Sequence, residues 1–169
     1  MYSPPYYFVS DKKLLQEVIE QNSFSTLISS DLTVSHLPLH LCDGKLLGHM
    51  ARANSHWQMA DGHQVTAIFH GPQAYISPGW YTPGPKNVPT WNYVTVHVRG
   101  KFRVVSDEQE ARRVIEKQVE LLEGEKGWRL PQDQSALEAL YKSIVAFEIS
   151  ELEFEGKFKL SQKHDLTNK

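Results

Sequence analysis

The chain has 169 residues, enough for one domain with a sizeable core. Apolar residues make up 40% and charged residues 22%, which excludes a disordered composition, and a net charge of −2 excludes broad electrostatic affinity for nucleic acid or anionic membrane. The single Cys42 excludes an intramolecular disulfide and any multi-cysteine metal site. Met1 to Lys13 carries neither a basic n-region nor an apolar h-region, and no apolar run is long enough to span a bilayer. A cytoplasmic protein without a membrane role is expected, organised as a single domain over residues 1–169.

In chain order, Ser10 predicts an N-cap for a helix over Asp11–Gln21, with Leu14, Leu15, Val18 and Ile19 on its apolar face. Phe24–Ser30 reads as a strand, and Asp31 turns the chain into a second strand over Thr33–Leu41, where Leu37, Leu39 and Leu41 alternate with His36, Pro38 and His40. Pro38 lacks a ladder donor, so this strand has an edge or a bulge there. Asp43-Gly44 between apolar runs is a hairpin turn, because both positions favour positive φ. It leads into a strand over Lys45–Met50 and a short helix over Ser55–Ala60, with Asn54 a candidate cap.

Val65, Ala67 and Phe69 alternate along the next strand, Gly71-Pro72 interrupts it, and Ala74–Ser77 continues it. Pro78–Pro89 holds four of the nine prolines and forms a stiff loop bearing Trp80 and Tyr81, which read as interface anchors or a lid. Trp91–Val105 is the longest strand signal, with Gly100 a bulge or bend. Ser106-Asp107-Glu108-Gln109 reads as a capping box that opens a helix to Glu123, with Ala111, Val114, Ile115, Val119 and Leu122 facing the core. A further helix spans Gln134–Ser143, with Leu137, Leu140 and Tyr141 inward, and Ala146–Ser150 and Leu152–Leu160 close the chain as strands. The order predicts a mainly β fold with peripheral helices, about six antiparallel strands closed into a small barrel.

The run from His49 to Ser55 (HMARANS) places a histidine, an arginine and an asparagine on one rim of the sheet. Arg52 can hold a phosphate bidentately, a helix opening near Ser55 adds its dipole, and Ala51 and Ala53 let backbone approach. The competing reading is an ordinary exposed turn. His36, His40 and His49 raise a metal site, but strand positions four apart stand about 13 Å apart and no acidic residue or cysteine completes a ligand set; no metal is expected. Trp91 reads as a core tryptophan or as part of a ligand site, and Lys159 as a solvated edge lysine or a contact to an anion. There is no nucleophile constellation, no Gly-rich nucleotide loop and no recognition helix; Asp107–Glu123 is dominated by acids.

The blocks VSHLPLHLCDGKLLGHMARAN (34–54), AYISPGWY (74–81), VPTWNYVTVHVRG (88–100) and KLSQ (159–162) resemble the PaiB family of the FMN-binding split-barrel superfamily. The recognisable blocks span most of residues 1–162. The resemblance implies an FMN-binding split β-barrel working as a homodimer, with cofactor at the interface. It implies Arg52 and Asn54 at the FMN phosphate, and Ser35, His36 and His49 near the ring or ribityl chain. It also implies that the strand with Trp91 and Asn92, or the proline-rich loop before it, lines the site from a partner subunit, and that Lys159 is a second phosphate or interface residue. After KLSQ the family continues with an asparagine and a helical segment, whereas this chain reads Lys163-His164-Asp165 and stops at Lys169, so it is a short member or is truncated there. The functions implied are a negative regulator of transcription that need not touch DNA directly, a flavin oxidoreductase using a reduced nicotinamide donor on a small-molecule substrate, or a haem-binding or haem-degrading protein.

Overall fold

A computed structural model describes residues 1–84, 87–131 and 133–163. In chain order the elements are β1 (Phe8–Val9), α1 (Lys12–Gln21), β2 (Phe24–Ser29), β3 (Val34–Pro38), β4 (His40–Cys42) and β5 (Lys45–Ala51). Then come α2 (His56–Ala60), β6 (Gln64–Ile76), β7 (Thr90–Val104), α3 (Glu108–Glu123), α4 (Gln134–Ser143) and β8 (Ile144–Lys159). Of the residues that diverge from the family's C-terminal pattern, His164 to Lys169 lie outside the described residues, as do Pro85 and Lys86 of the proline-rich loop.

The strands form one antiparallel sheet in the order β3-β2-β6-β7-β8-β5-β4, with β1 added beside β8. The two edge strands, β3 and β4, are consecutive in the chain and are separated by Leu39 alone. A single residue cannot bridge the edges of a flat sheet, so the sheet curls until they adjoin, and β3 approaches β5. Leu39 is fully buried at this seam, where its N–H donates to Ser23 O at 2.9 Å. The expected continuous strand over Thr33–Leu41 is therefore broken just after Pro38, which ends an edge strand. The product is a curled antiparallel half-barrel of seven strands.

Its core is filled from every strand by alternation: Leu27, Leu37, Leu46, Phe69, Val96 and Ile149 point inward, and Phe102 stacks on Phe147 with centroids 4.4 Å apart. The Leu15 and Ile19 side chains of α1 plug one end. At Gly156 an added Cβ would meet Leu15 Cδ2 and come within 3.1 Å of Val9 O, so a larger residue there has to displace the Leu15 side chain. At the opposite end α2 packs against β2 and β7. Outside the sheet, Val114 and Ile115 of α3 pack on Val105 and Ala146.

Several local expectations shift by a residue. Asp11, not Ser10, caps α1, accepting from the N–H groups of Lys13 and Leu14. Asp107, not Ser106, caps α3 by accepting from Glu110 N, and the Glu110 carboxylate reaches Arg103 instead of returning to the cap, so no capping box forms. Ser55 stands at the α2 cap without a side-chain bond, while Asn54 Oδ1 accepts from His56 N at 3.1 Å. Leu122 and Leu140, expected inward, are 58% and 45% exposed. The interrupted strands are continuous: β6 absorbs Gly71-Pro72 as a bulge, and β8 bends at Glu151, whose φ is 55°, opposite Gly100. Among the described residues, no helix is long and apolar enough to cross a membrane.

Candidate functional site

The residues from β3 to α2 do not converge. On β3 the side chains alternate, so Ser35 points into the barrel and His36 points out. Ser35 Oγ accepts from Asn54 Nδ2 at 3.0 Å and stands 2.8 Å from His56 Nδ1. His56 is fully buried, and burial lowers its pKa below the ordinary histidine value, with Asp31 opposing. The arrangement is satisfied when the Ser35 hydroxyl donates to Nδ1, which leaves the proton of the neutral ring on Nε2, an atom without a partner among the described residues. In the sequence His56 carries no periodic signal, since its helix has only five residues.

Arg52 faces elsewhere. Its Nε donates to Lys142 O and its Nη2 to Ile144 O, each at 2.8 Å, and its own carbonyl accepts from Trp57 Nε1. It lies on the wall of a cavity of about 670 Å³ between the barrel and α3 and α4. His49 points outward beneath α3, with Nδ1 2.7 Å from Gln118 Oε1. The rim expected to gather His49, Arg52 and Asn54 therefore sends them in three directions.

The outward face of β6, β7 and β8 brings other candidates together. Trp91 is 54% exposed and meets Tyr75 edge-on at 6.0 Å, so it is not a core residue. Lys159 Nζ donates to Trp91 O at 2.9 Å and to the Thr90 hydroxyl. Asn92 exchanges hydrogen bonds with Ser161 Oγ, which Tyr81 also reaches at 3.1 Å. Tyr93 pairs with Lys159 and Thr95 with Lys157, and beside them lies a cavity of about 310 Å³ lined by His70, Gln73, Tyr93, Thr95, His97 and Lys157. His36 shares this face, in the cross-strand row His36–Thr26–Ile68–His97.

Lys157 Nζ sits 5.4 Å from the Tyr93 ring centroid and 5.6 Å from that of Tyr2, and among the described residues neither Lys157 nor Lys159 pairs with a carboxylate. Burial, with the N-terminal ammonium second, holds the His97 pKa below the usual value. The backbone at Gly71 comes close to the floor of this cavity, where a Cβ would lie 3.0 Å from Val94. Among the described residues, no three His, Cys, Asp or Glu side chains gather as a metal site.

The architecture has relatives among solved structures. The flavocytochrome Anf3 from Azotobacter vinelandii superposes with a TM-score of 0.76 at 11% identity, covering 92% of this chain and 71% of that one. An FAD- and haem-binding protein from Mycobacterium smegmatis superposes with a TM-score of 0.74 at 9% identity, covering 94% and 76%. At such identities the likeness establishes a shared split-barrel fold. In sequence, the chain is 31% identical over 179 residues to the Bacillus subtilis protein named protease synthase and sporulation protein PAI 2, covering 99% of this chain and 85% of that protein. A family model described as "Putative FMN-binding domain" matches residues 1–151. On both grounds the chain belongs to the PaiB-type family of FMN-binding split-barrel proteins.

Proposed function

We propose that this chain is a homodimeric FMN protein whose flavin lies on the outward face of β6, β7 and β8, and that it acts in the cytoplasm as a negative regulator of transcription. The observation that carries the site is one cavity lined by Tyr93, Gln73, His97 and Lys157, with Lys159, which pairs with Tyr93 across the strands, held at the Trp91 carbonyl beside it. FMN needs cations for its phosphate, a flat apolar surface for its ring and a few polar atoms for the pyrimidine edge. The two lysines, the aromatic side chains and the Gln73 amide match those needs in turn. When bound, FMN supplies one- or two-electron chemistry; the protein groups hold it and shield it from water.

The dimer is supported by apolar side chains left bare on the same face: Phe24 is 67% exposed, Val34 50% and Tyr75 44%. A second copy covers them and closes the cofactor site. The regulatory output rests on the likeness to PAI 2, a protein named for protease synthesis and sporulation. With a net charge of −2 and an acid-rich α3, it is exerted through a ligand or a partner rather than by direct DNA binding.

The test is titration of FMN and riboflavin into wild type, Lys157→Ala, Lys159→Ala and Arg52→Met, followed by flavin fluorescence. One charge-assisted phosphate contact is worth about 1.5–3 kcal/mol, so each lysine variant weakens FMN by about 10- to 150-fold and riboflavin far less. Arg52→Met leaves FMN unchanged. Equal losses for the two ligands in the lysine variants would take the phosphate off Lys157 and Lys159, and a loss confined to FMN in Arg52→Met would move it to the β5–α2 rim.

A further inference from the structure

The larger cavity lies away from the proposed flavin face and has no role in that reading. Its volume of about 670 Å³ falls within the range of small-molecule sites. Buried Val105, Ile115, Val145 and Ala146 form an apolar floor, and Trp57 and Tyr141 flank it. The Arg52 guanidinium is held along one edge, Nε and Nη2 being spent on two carbonyls. That anchorage fixes the plane of the group and leaves the Nη1 side for an incoming anion. Lys142 lines the same wall, and among the described residues neither cation has a carboxylate within 4.0 Å.

Of the two acids in the lining, Glu108 is neutralised by Arg112 at 2.7 Å, and that arginine also stacks on Tyr141. Glu138 alone stands against Arg52 and Lys142. The balance is one positive charge in excess above an apolar, aromatic-walled floor. None of the described side chains of α4 is fully buried, and the half-buried Tyr141 is its contact with the apolar cluster of Val105, Ile115 and Ala146.

We infer that this cavity binds a small monocarboxylate with an aromatic or branched apolar body. The carboxylate lies on the free side of Arg52 with Lys142 beside it, and the body lies between Trp57 and Tyr141. A phosphate dianion fits less well, because Glu138 opposes its second charge and nothing in the floor hydrates it. Occupancy ties α4 to the barrel, which makes the site suited to an effector that reports through the helical side of the molecule.

The probes are phenylacetate and its uncharged isostere phenylacetamide, titrated by calorimetry into the full chain with and without FMN. Phenylacetate binds the wild type at least about 10-fold more tightly than phenylacetamide, one charge-assisted contact being worth that much. Arg52→Met abolishes the difference while FMN stoichiometry is unchanged. Ala111→Phe, which fills the cavity from α3, removes binding of both probes; Ala111→Leu weakens both and serves if the larger side chain lowers flavin content or helicity. Equal affinity for the two probes, no binding of phenylacetate at millimolar concentration, or binding that survives both Ala111 variants overturns the inference. Because the probes are also titrated into flavin-free protein, a failure of FMN to bind is scored separately.

Discussion

His49 on β5 and Gln118 on α3 form a polar clasp between barrel and helix: His49 Nδ1 lies 2.7 Å from Gln118 Oε1, and Gln118 is 2% exposed. Because Oε1 only accepts, the histidine donates from Nδ1, and Gln118 Nε2 turns to the carbonyls of Pro38 and Leu47. Replacing the amide by an apolar isostere leaves those groups unpaired in a dry interface. Gln118→Leu is expected to cost about 1–3 kcal/mol in urea unfolding and to raise hydrogen exchange across α3. An unchanged urea midpoint would show that water or a rearranged His49 satisfies the site.

Glu148 is the hub of a second clasp. Its carboxylate, 8% exposed, receives Lys45 and Arg103, and Arg103 continues to Glu110 on α3. Burial raises its pKa, but the hydrogen bonds and charges of Arg103 and Lys45 outweigh that and hold it below the ordinary glutamate value. A carboxylate depressed in the folded state contributes stability above its unfolded pKa, and that contribution is lost as pH falls through the folded pKa. Acid destabilisation is therefore steeper in wild type than in Glu148→Gln. Both cations are about half exposed and regain water when released, so the substitution costs only about 1–2 kcal/mol at neutral pH. Parallel stability–pH curves for the two proteins would remove Glu148 from the acid response.

Gly100 tests the bend that lets β7 and β8 follow the barrel wall. An added Cβ would stand 2.6 Å from Ile149 Cγ2 and 2.6 Å from Ser150 O. The methyl has a flexible neighbour, but the carbonyl belongs to the bulged backbone beside Glu151 and cannot move without opening the ladder. Gly100→Ala is expected to lose about 1–3 kcal/mol, measured by thermal or urea unfolding. Gly79→Ala, where the nearest atom is Ser77 Oγ at 3.5 Å, is the tolerated control.

What was legible in the sequence was what depends on near neighbours. The Asp43-Gly44 turn appears with φ of 49° and 77°, and the alternation of Val94, Val96 and Val98 sets the inner face of β7. The same parity puts Trp91, Tyr93, Thr95 and His97 outside, a signal that would have removed Trp91 from the core. The break at Leu39 was not legible, because only the pairing of distant strands makes β3 and β4 opposite edges. Nor was the parting of Arg52 from Asn54. Arg52 N donates to Ser143 O, so α4, some ninety residues on, decides where that side chain goes. His56 lies in a five-residue helix too short for a periodic signal, and only the approach of Ser35 marks it.

Phe24 on β2 and Val34 on the edge strand β3 stand on the face that carries His36 and His97, and they are 67% and 50% exposed. An obligate dimer interface commonly buries more than about 2,000 Å² in total, and a charge at its apolar centre is left unpaired on association. Phe24→Glu is therefore expected to convert a dimer into a monomer at micromolar concentration in light scattering, with a parallel loss of bound FMN. The isolated barrel should lose no more than about 0.5 kcal/mol, because the side chain is exposed within one chain. Leu122→Glu on α3, a position 58% exposed on the helical side, provides the comparison and should leave both mass and flavin content as in wild type. If Leu122→Glu yields the monomer and Phe24→Glu the dimer, the subunits meet through α3, and the flavin face on β6, β7 and β8 is closed by one chain alone.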